Sequence, residues 1–193
     1  MGANSTALPL SYFVLGRTVS ETTARVTDPV DLPRRAHIWI SGAKLQVAVP
    51  RPIVYTIEDG DEGDMGAYIN AAAPLMSHEL VEVLQGAGVD NLELHEALIR
   101  EEVSGREYCD YWAVNIVGLI AAADKSKSLA TSLEGLGTWI HKLVLDEQAT
   151  RGVLLFRLRE GPSKILVHRS IKDAIEAKRL PLLQFVAAED FSG

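Results

Sequence analysis

Cysteine occurs once in this chain, at Cys109, and that scarcity removes two readings. No internal disulfide can form, which favours a reducing, cytoplasmic setting. No CxxC pair is available to hold a metal. Cys109 lies in the apolar run "EYCDYWAVNIVG" and is expected to be a small buried hydrophobe. Aromatic residues make up only 6%, and Trp39, Trp112 and Trp139 all fall in strand-like runs, which assigns them to the core. A stacking platform for nucleic-acid bases would need exposed aromatics beside basic residues, and "DYW" at 110–112 has acidic neighbours instead. Long hydrophobic runs are missing too. The longest, near Val114 to Ala123, is interrupted by Asn115 and is too short to cross a bilayer. The opening "MGANSTALPLSYFVLG" has no early basic residue and no extended apolar core, so it makes a poor secretory signal. Met1-Gly2 with Thr6 fits only the permissive myristoylation pattern.

Catalytic punctuation is equally sparse. GxGxxG, GxxxxGK[ST] and GxSxG are all absent, and the five histidines never fall at the HxxxH spacing of a helical zinc site. His78 and His168 each stand at the start of a predicted helix, where capping explains them better than metal binding. The expectation is therefore no catalysis, no cofactor and no metal.

What the sequence does have is an ordinary globular composition and an uneven charge. Its 193 residues are 47% apolar and 23% charged, enough for one sizeable core or two small lobes. The net charge is −7, but residues 58–110 hold fourteen acidic and only two basic side chains. Residues 1–57 and 111–193 are each slightly basic. An acidic middle repels nucleic-acid phosphates and steers toward a basic protein. It also keeps a protein soluble, with no partner implied. Five of its carboxylates crowd into "EDGDEGDMG", Glu58 to Gly66. A Ca²⁺ loop of the EF-hand type fails on spacing, because the fifth and sixth positions from Asp59 are Gly63 and Asp64. The stretch reads as a mobile, solvated loop.

One pattern occurs twice, ninety-one residues apart. "PLMSHELVEVLQGAGVDNLELHEA" from Pro74 and "ILVHRSIKDAIEAKRLPLLQFVAA" from Ile165 share a strand, a polar cap, an amphipathic helix and a second strand. Helices are predicted from His78 to about Gln85, with Leu80, Val81 and Leu84 inward, and from about Ser170 to Lys178, with Ile171, Ala174 and Ile175 inward. Further strands are predicted at 11–16, 36–41, 44–49, 52–57, 107–120, 138–146 and 152–160, with a turn at Gly161-Pro162 and loop from Ala123 to Gly137. The fold class is α+β and strand-rich, with two similar lobes each carrying a sheet on a short helix. Residues 1–35 are poorly specified, 36–104 form the first lobe with the acidic loop, and 105–193 form the second, with the break near Ser104-Gly105.

The order of motifs carries a resemblance. "PLMS" leads into a helix (Pro74 to Ser77), then come "GVDNLEL" (Gly88 to Leu94), Tyr111 with Asn115, Asp124 with Ser128, "LFRL" (Leu155 to Leu158) and the closing unit from Ile165 to Val186. In this the chain resembles, over roughly residues 50–190, the bacterial immunity-protein family numbered eleven in the classification of polymorphic toxin systems. This is a domain-of-unknown-function family typical of myxobacteria. Leu180-Pro181-Leu182 departs from the family's Thr-Gly-like turn. The resemblance implies a cytoplasmic protein that binds a cognate protein toxin and neutralises it, with no membrane or nucleic acid as partner. A basic nuclease would suit the acidic middle. Glu58, Asp59, Asp61, Glu62, Asp64, Glu79 and Glu82 are the partner-binding candidates. Tyr111, Asn115, Asp124, Ser128 and Phe156 are the family-pattern residues, assigned structural roles. Two other readings stand beside it. One is a non-enzymatic adaptor or structural module. The other is a small hydrolase holding Ca²⁺ or Mg²⁺ at Asp59, Asp61 and Asp64.

Overall fold

Ser77 starts the first helix for a local reason. Its extended backbone lets the hydroxyl accept from the Leu80 N–H at 3.2 Å, satisfying one of the donors a helix start leaves free. The helix, α1 (His78–Gly86), then buries Leu80, Val81 and Leu84. It stops where Ala87, Gly88 and Val89 turn their N–H groups back onto the last carbonyls, with Gly88 at φ +96°. The second copy of the pattern does the same with a different cap. The His168 ring nitrogen Nδ1 accepts from the Ser170 N–H at 3.2 Å, α3 (Arg169–Lys178) buries Ile171 and Ile175, and Arg179 ends it in the left-handed region.

The computed structural model describes residues 12–29, 32, 38–133 and 137–193. The myristoylation pattern at Met1-Gly2-Thr6 lies outside them, as do Ser11, Ala36 and His37 at the starts of two predicted strands. The remaining elements are β1 (Tyr12–Arg17), β2 (Ile53–Ile57), β3 (Tyr68–Ile69), β4 (Leu75–Ser77), β5 (Leu92–Glu101), β6 (Glu107–Ile116), β7 (Leu119–Ile120), β8 (Leu129–Leu133), β9 (Gly137–Lys142), α2 (Glu147–Thr150), β10 (Leu155–Leu158), β11 (Gly161–His168) and β12 (Leu183–Ala187). The protein is a strand-rich α+β fold. One five-stranded sheet runs β2-β5-β6-β4-β3, the other β12-β1-β11-β10-β7, and β8-β9 is a separate hairpin.

Both copies of the pattern build one geometry. In the first, β4 and β5 both run antiparallel to β6, which lies between them. In the second, β11 and β12 both run antiparallel to β1, which lies between them. Each helix thus joins two parallel strands split by a third. The splitting strand differs in origin. β6 follows β5 through the turn at Ser104-Gly105, so the expected lobe break falls inside the first sheet. β1 arrives from the poorly specified N-terminal stretch and is an interior strand of the second sheet, between β12 and β11.

The two sheets share a core. Leu80 and Leu84 of α1 and Ile171 and Ile175 of α3 pack with Met76 and Val114 from one sheet and Leu15 and Val167 from the other. Each sheet's opposite face has its own cover. Ile53, Tyr55, Ile57 and Ile99 are covered by Ala24, Leu32 and Trp39. Tyr12, Phe156 and Leu166 are covered by Ile140 of β9 and by Leu143.

That covering explains the mistaken strands. Within 36–41 the described residues Ile38–Ile40 form a single 3-10 turn that buries Trp39, and 44–49 forms no strand. Leu45 and Val49 still point into the core, but the Leu45 N–H donates to the Glu93 carboxylate at 3.0 Å instead of to a neighbouring strand. Alternation therefore records burial, not pairing. Conversely, part of the expected loop 123–137 forms β8, which pairs with β9, and Gly161-Pro162 opens β11 rather than making a turn. Trp139, assigned to the core, is 50% exposed on that hairpin. Among the described residues no helix is long and apolar enough to cross a membrane.

Candidate functional site

The acidic loop leaves the end of β2 solvated, as expected, but tied to the Thr22–Thr27 segment along its length. The Asp64 N–H donates to the Thr22 carbonyl at 2.7 Å, and the Ala24 and Arg25 N–H groups donate to the Asp64 and Asp61 carbonyls at 3.1 and 2.9 Å. Side chains add to this. The Thr22 hydroxyl donates to Asp64 at 2.9 Å, the Thr27 hydroxyl donates to Glu58 at 3.1 Å, and Arg25 stands 3.6 Å from Asp61. Gly63 passes so close to the Thr22 carbonyl that a side chain would collide with it. Glu58, Asp59, Glu62 and Asp64 remain exposed, and Asp61 is half-buried. Among the described residues no group of three or more His, Cys, Asp or Glu is placed to hold a metal ion.

Glu79 and Glu82 project from the exposed side of α1, opposite its three buried apolar residues. No hydrogen bond or ion pair among the described residues connects them to the acidic loop. The structure instead brings α1 to a groove that the sequence did not signal. The face of β5 and β6 buried under α1 carries Leu94, Val114 and Ile116. Past the start of the helix this cover ends, leaving a groove of about 380 Å³ lined by His78, Glu96, Leu98, Glu107, Cys109 and Trp112. Glu96 and Trp112 are cross-strand partners, and the His78 ring lies 4.9 Å from the Trp112 ring. Arg100 donates to Glu107 at 2.7 and 2.9 Å at the rim. Cys109 is exposed here, which corrects its expected burial. Strand β6 presents alternate residues to opposite faces: Tyr111 and Ala113 point into the core beneath Trp39, and Val114 and Ile116 into the core beneath α1. Chemically the groove offers an aromatic face and carboxylates, a setting suited to a long cationic side chain.

Of the family-pattern residues only Tyr111 borders the groove, and the others make contacts elsewhere in the fold. Tyr111 donates its hydroxyl to the Gly66 carbonyl at 2.9 Å, fixing the last residue of the acidic stretch. Burial pushes the Tyr111 phenol up to about 12, so it donates at all ordinary pH. Asn115, fully buried, donates to the Ala43 carbonyl at 2.9 Å and to Glu93 at 2.6 Å. Asp124 accepts from the Ser126 hydroxyl at 2.6 Å, the Ser126 N–H at 2.9 Å and Lys127 at 2.9 Å. Ser128 donates to the Val144 carbonyl and accepts from its N–H, at 2.9 and 3.0 Å. Phe156 is fully buried, edge-on to Tyr12.

A family model described as an immunity protein family (Imm11) matches residues 18–190. The chain belongs to that family. No curated protein matches it. The Imm11 match begins well before the stretch in which the sequence motifs were legible. It takes in residues 18–49, which include the tether of the acidic loop and the cover over the first sheet. The groove, α1 and the acidic loop all lie within the Imm11 match.

Proposed function

We propose that this immunity-family protein binds a cognate toxin and neutralises it by occupation, without catalysis of its own. The observation that carries the reading is the groove. Trp112 lines it, Glu96 and Glu107 flank it, and both carboxylates belong to the stretch with fourteen acidic and two basic residues. His78 places the start of α1 at its rim, and Glu82, one turn further along the same helix side, extends the acidic surface with Glu79. The occupant is a basic toxin segment. An arginine or lysine lays its stem on Trp112 and its charge beside Glu96, while the loop from Glu58 to Asp64 speeds encounter from a distance. A nuclease fits, because its phosphate-binding surface is basic.

The test is a growth assay. The product of the neighbouring reading frame is expressed in a bacterial host with and without this protein, and the complex is then captured at low and high salt. Rescue with salt-sensitive capture is expected, with Trp112→Ala weakening binding by roughly thirtyfold, as for an anchor worth about 2 kcal/mol. A harmless neighbour that is still captured would place the protein with non-enzymatic adaptors. Rescue unaffected by Trp112→Ala would remove the groove from the interface.

A further inference from the structure

The second sheet opens on a cavity whose charged lining residues are cations, in a protein of net charge −7. Its origin is a fork in the second sheet. β1 and β11 pair from Tyr12–His168 to Leu15–Ile165 and then part. Beyond that point β1 follows β12, with Gly16 opposite Gln184 and Arg17 opposite Leu183. β11 continues with β10 through a register shift between Arg157 and Leu158. Gly16-Arg17 and Ser163-Lys164 are left facing each other across the opening. Tyr68 and Asn70 come in from the first sheet, and the space between is about 450 Å³. Val14, Val19 and Phe191 supply apolar wall.

Every ionisable group lining it, other than the Tyr68 phenol, is a cation. Burial alone lowers the Lys164 ammonium, which lies over the Phe191 ring at 5.1 Å. Gly193 is also near Lys164, but its carbonyl oxygen accepts from the Ile140 N–H. Arg17 spends one nitrogen on the Ala24 carbonyl, while its buried Nε has no partner. Arg157, 2% exposed, sits behind the fork. It donates to the Pro162 carbonyl at 3.0 Å, its Nε is likewise without a partner, and its charge acts on the Tyr68 phenol. Among the described residues the Tyr68 hydroxyl has only a 3.5 Å contact to Asn70. Among the described residues no carboxylate forms an ion pair with Arg17, Arg157 or Lys164, and the ion pairs that do form are elsewhere. A cation withdrawn from water without a counter-charge costs stability, and the fold keeps Arg157 buried with Arg17 and Lys164 half-buried beside the same opening.

We infer that the fork between β1 and β11 is a binding site for a small phosphomonoester, whose dianion sits between Arg17 and Lys164 and whose organic part lies against Phe191 and Val14. Two cations match a dianion, the guanidinium and the Ser163 hydroxyl supply directed donors, and the volume exceeds what bare phosphate fills. The site is separate from the groove at Trp112 and needs no toxin to be measured.

The experiment uses the whole chain and phenyl phosphate, with inorganic phosphate, acetate and chloride at matched ionic strength. Phenyl phosphate is expected to raise the melting temperature saturably, inorganic phosphate to do so more weakly, and acetate to match chloride. Lys164→Met removes a half-buried charge that makes no ion pair among the described residues, so the variant is expected to melt at or above the wild-type temperature while binding phenyl phosphate at least roughly tenfold more weakly. Amide shifts in the wild-type NMR spectrum give a second measure that depends on no variant. Shifts at Gly16, Arg17, Asn70, Ser163 and Lys164 support the site. No rise beyond chloride, an undiminished rise in Lys164→Met, or shifts confined to other residues would overturn it.

Discussion

Tyr111 and Asn115 stand four residues apart on one face of β6, and each replaces a backbone partner that irregular chain cannot find for itself. Gly66 and Ala43 lie in segments without strand neighbours, so their carbonyls take side-chain donors. Tyr111→Phe is expected to destabilise by about 1 to 2 kcal/mol, because it strands the buried Gly66 oxygen. Asn115→Leu is expected to cost more, about 2 to 4 kcal/mol, because it also takes from the Glu93 carboxylate one of its two donors, leaving the Leu45 N–H. Urea midpoints at constant slope would measure both. Asp124 gives a pH-dependent counterpart. The Ser126 hydroxyl, Lys127 and the Ser126 N–H hold its carboxyl down at about 2, below the ordinary 3.8. A depressed carboxyl contributes its stability in full above the unfolded value and loses it as pH falls through the folded one. The loss therefore spans about pH 4 to about pH 2, and Asp124→Asn is expected to flatten the acid limb of stability there while leaving the neutral plateau sloping as before. The residues were legible in the sequence, and their contacts were not. The pattern Tyr-x-x-x-Asn followed by Asp-x-x-x-Ser singled these residues out, but their partners at Gly66, Ala43 and Val144 are distant in sequence and carry no signal of their own.

At the scale of elements, what could be read locally was read well. Ser77 followed by Leu80, Val81 and Leu84, and His168 followed by Ile171 and Ile175, place both helices within a residue or so of their observed ends. Ser77→Ala is expected to cost about 1 kcal/mol, visible as faster amide exchange in the first turn of α1. Pairing could not be read. "YFVLGR" looks like any short strand, yet it holds β11 and β12 together, and nothing within those six residues distinguishes an edge from a centre. Removing residues 1–17 is therefore expected to leave two open edges and a protein that aggregates rather than one with a trimmed tail, which size-exclusion chromatography would show. The 44–49 segment fails in the other direction. Its apolar alternation serves a core that lies beneath irregular chain, and the Glu93 carboxylate that takes its N–H lies 48 residues away. The groove escaped notice for the same reason. Glu96, Cys109 and Trp112 come together only through the β5–β6 register and the place where α1 begins.

For the whole molecule, the shared core matters more than the repeated pattern. α1 and α3 bury their apolar faces in one cluster with residues from both sheets, so neither sheet keeps its packing when the other opens. A single cooperative transition is expected. With Trp112 and Trp139 changed to Phe, Trp39 fluorescence reports the covered face of the first sheet, and its unfolding curve should coincide with that from far-ultraviolet circular dichroism. Two separated curves would mean that the sheets melt independently. Charge acts at this scale too. The acidic middle and the cationic fork sit on one chain of net charge −7, so the long-range field attracts basic proteins while a single cavity selects an anion at short range.

Cys109 is the chain's one thiol, and it is exposed within the groove beside Trp112. The protein thus carries a built-in footprint reagent site. A maleimide dye would attach once per molecule, with no background from other thiols, and its rate of attachment reads how open the groove is. A partner seated there slows the reaction in proportion to its occupancy, whereas one docked on another face leaves the rate untouched. A titration of labelling rate against partner concentration therefore yields location and affinity together, on unmutated protein.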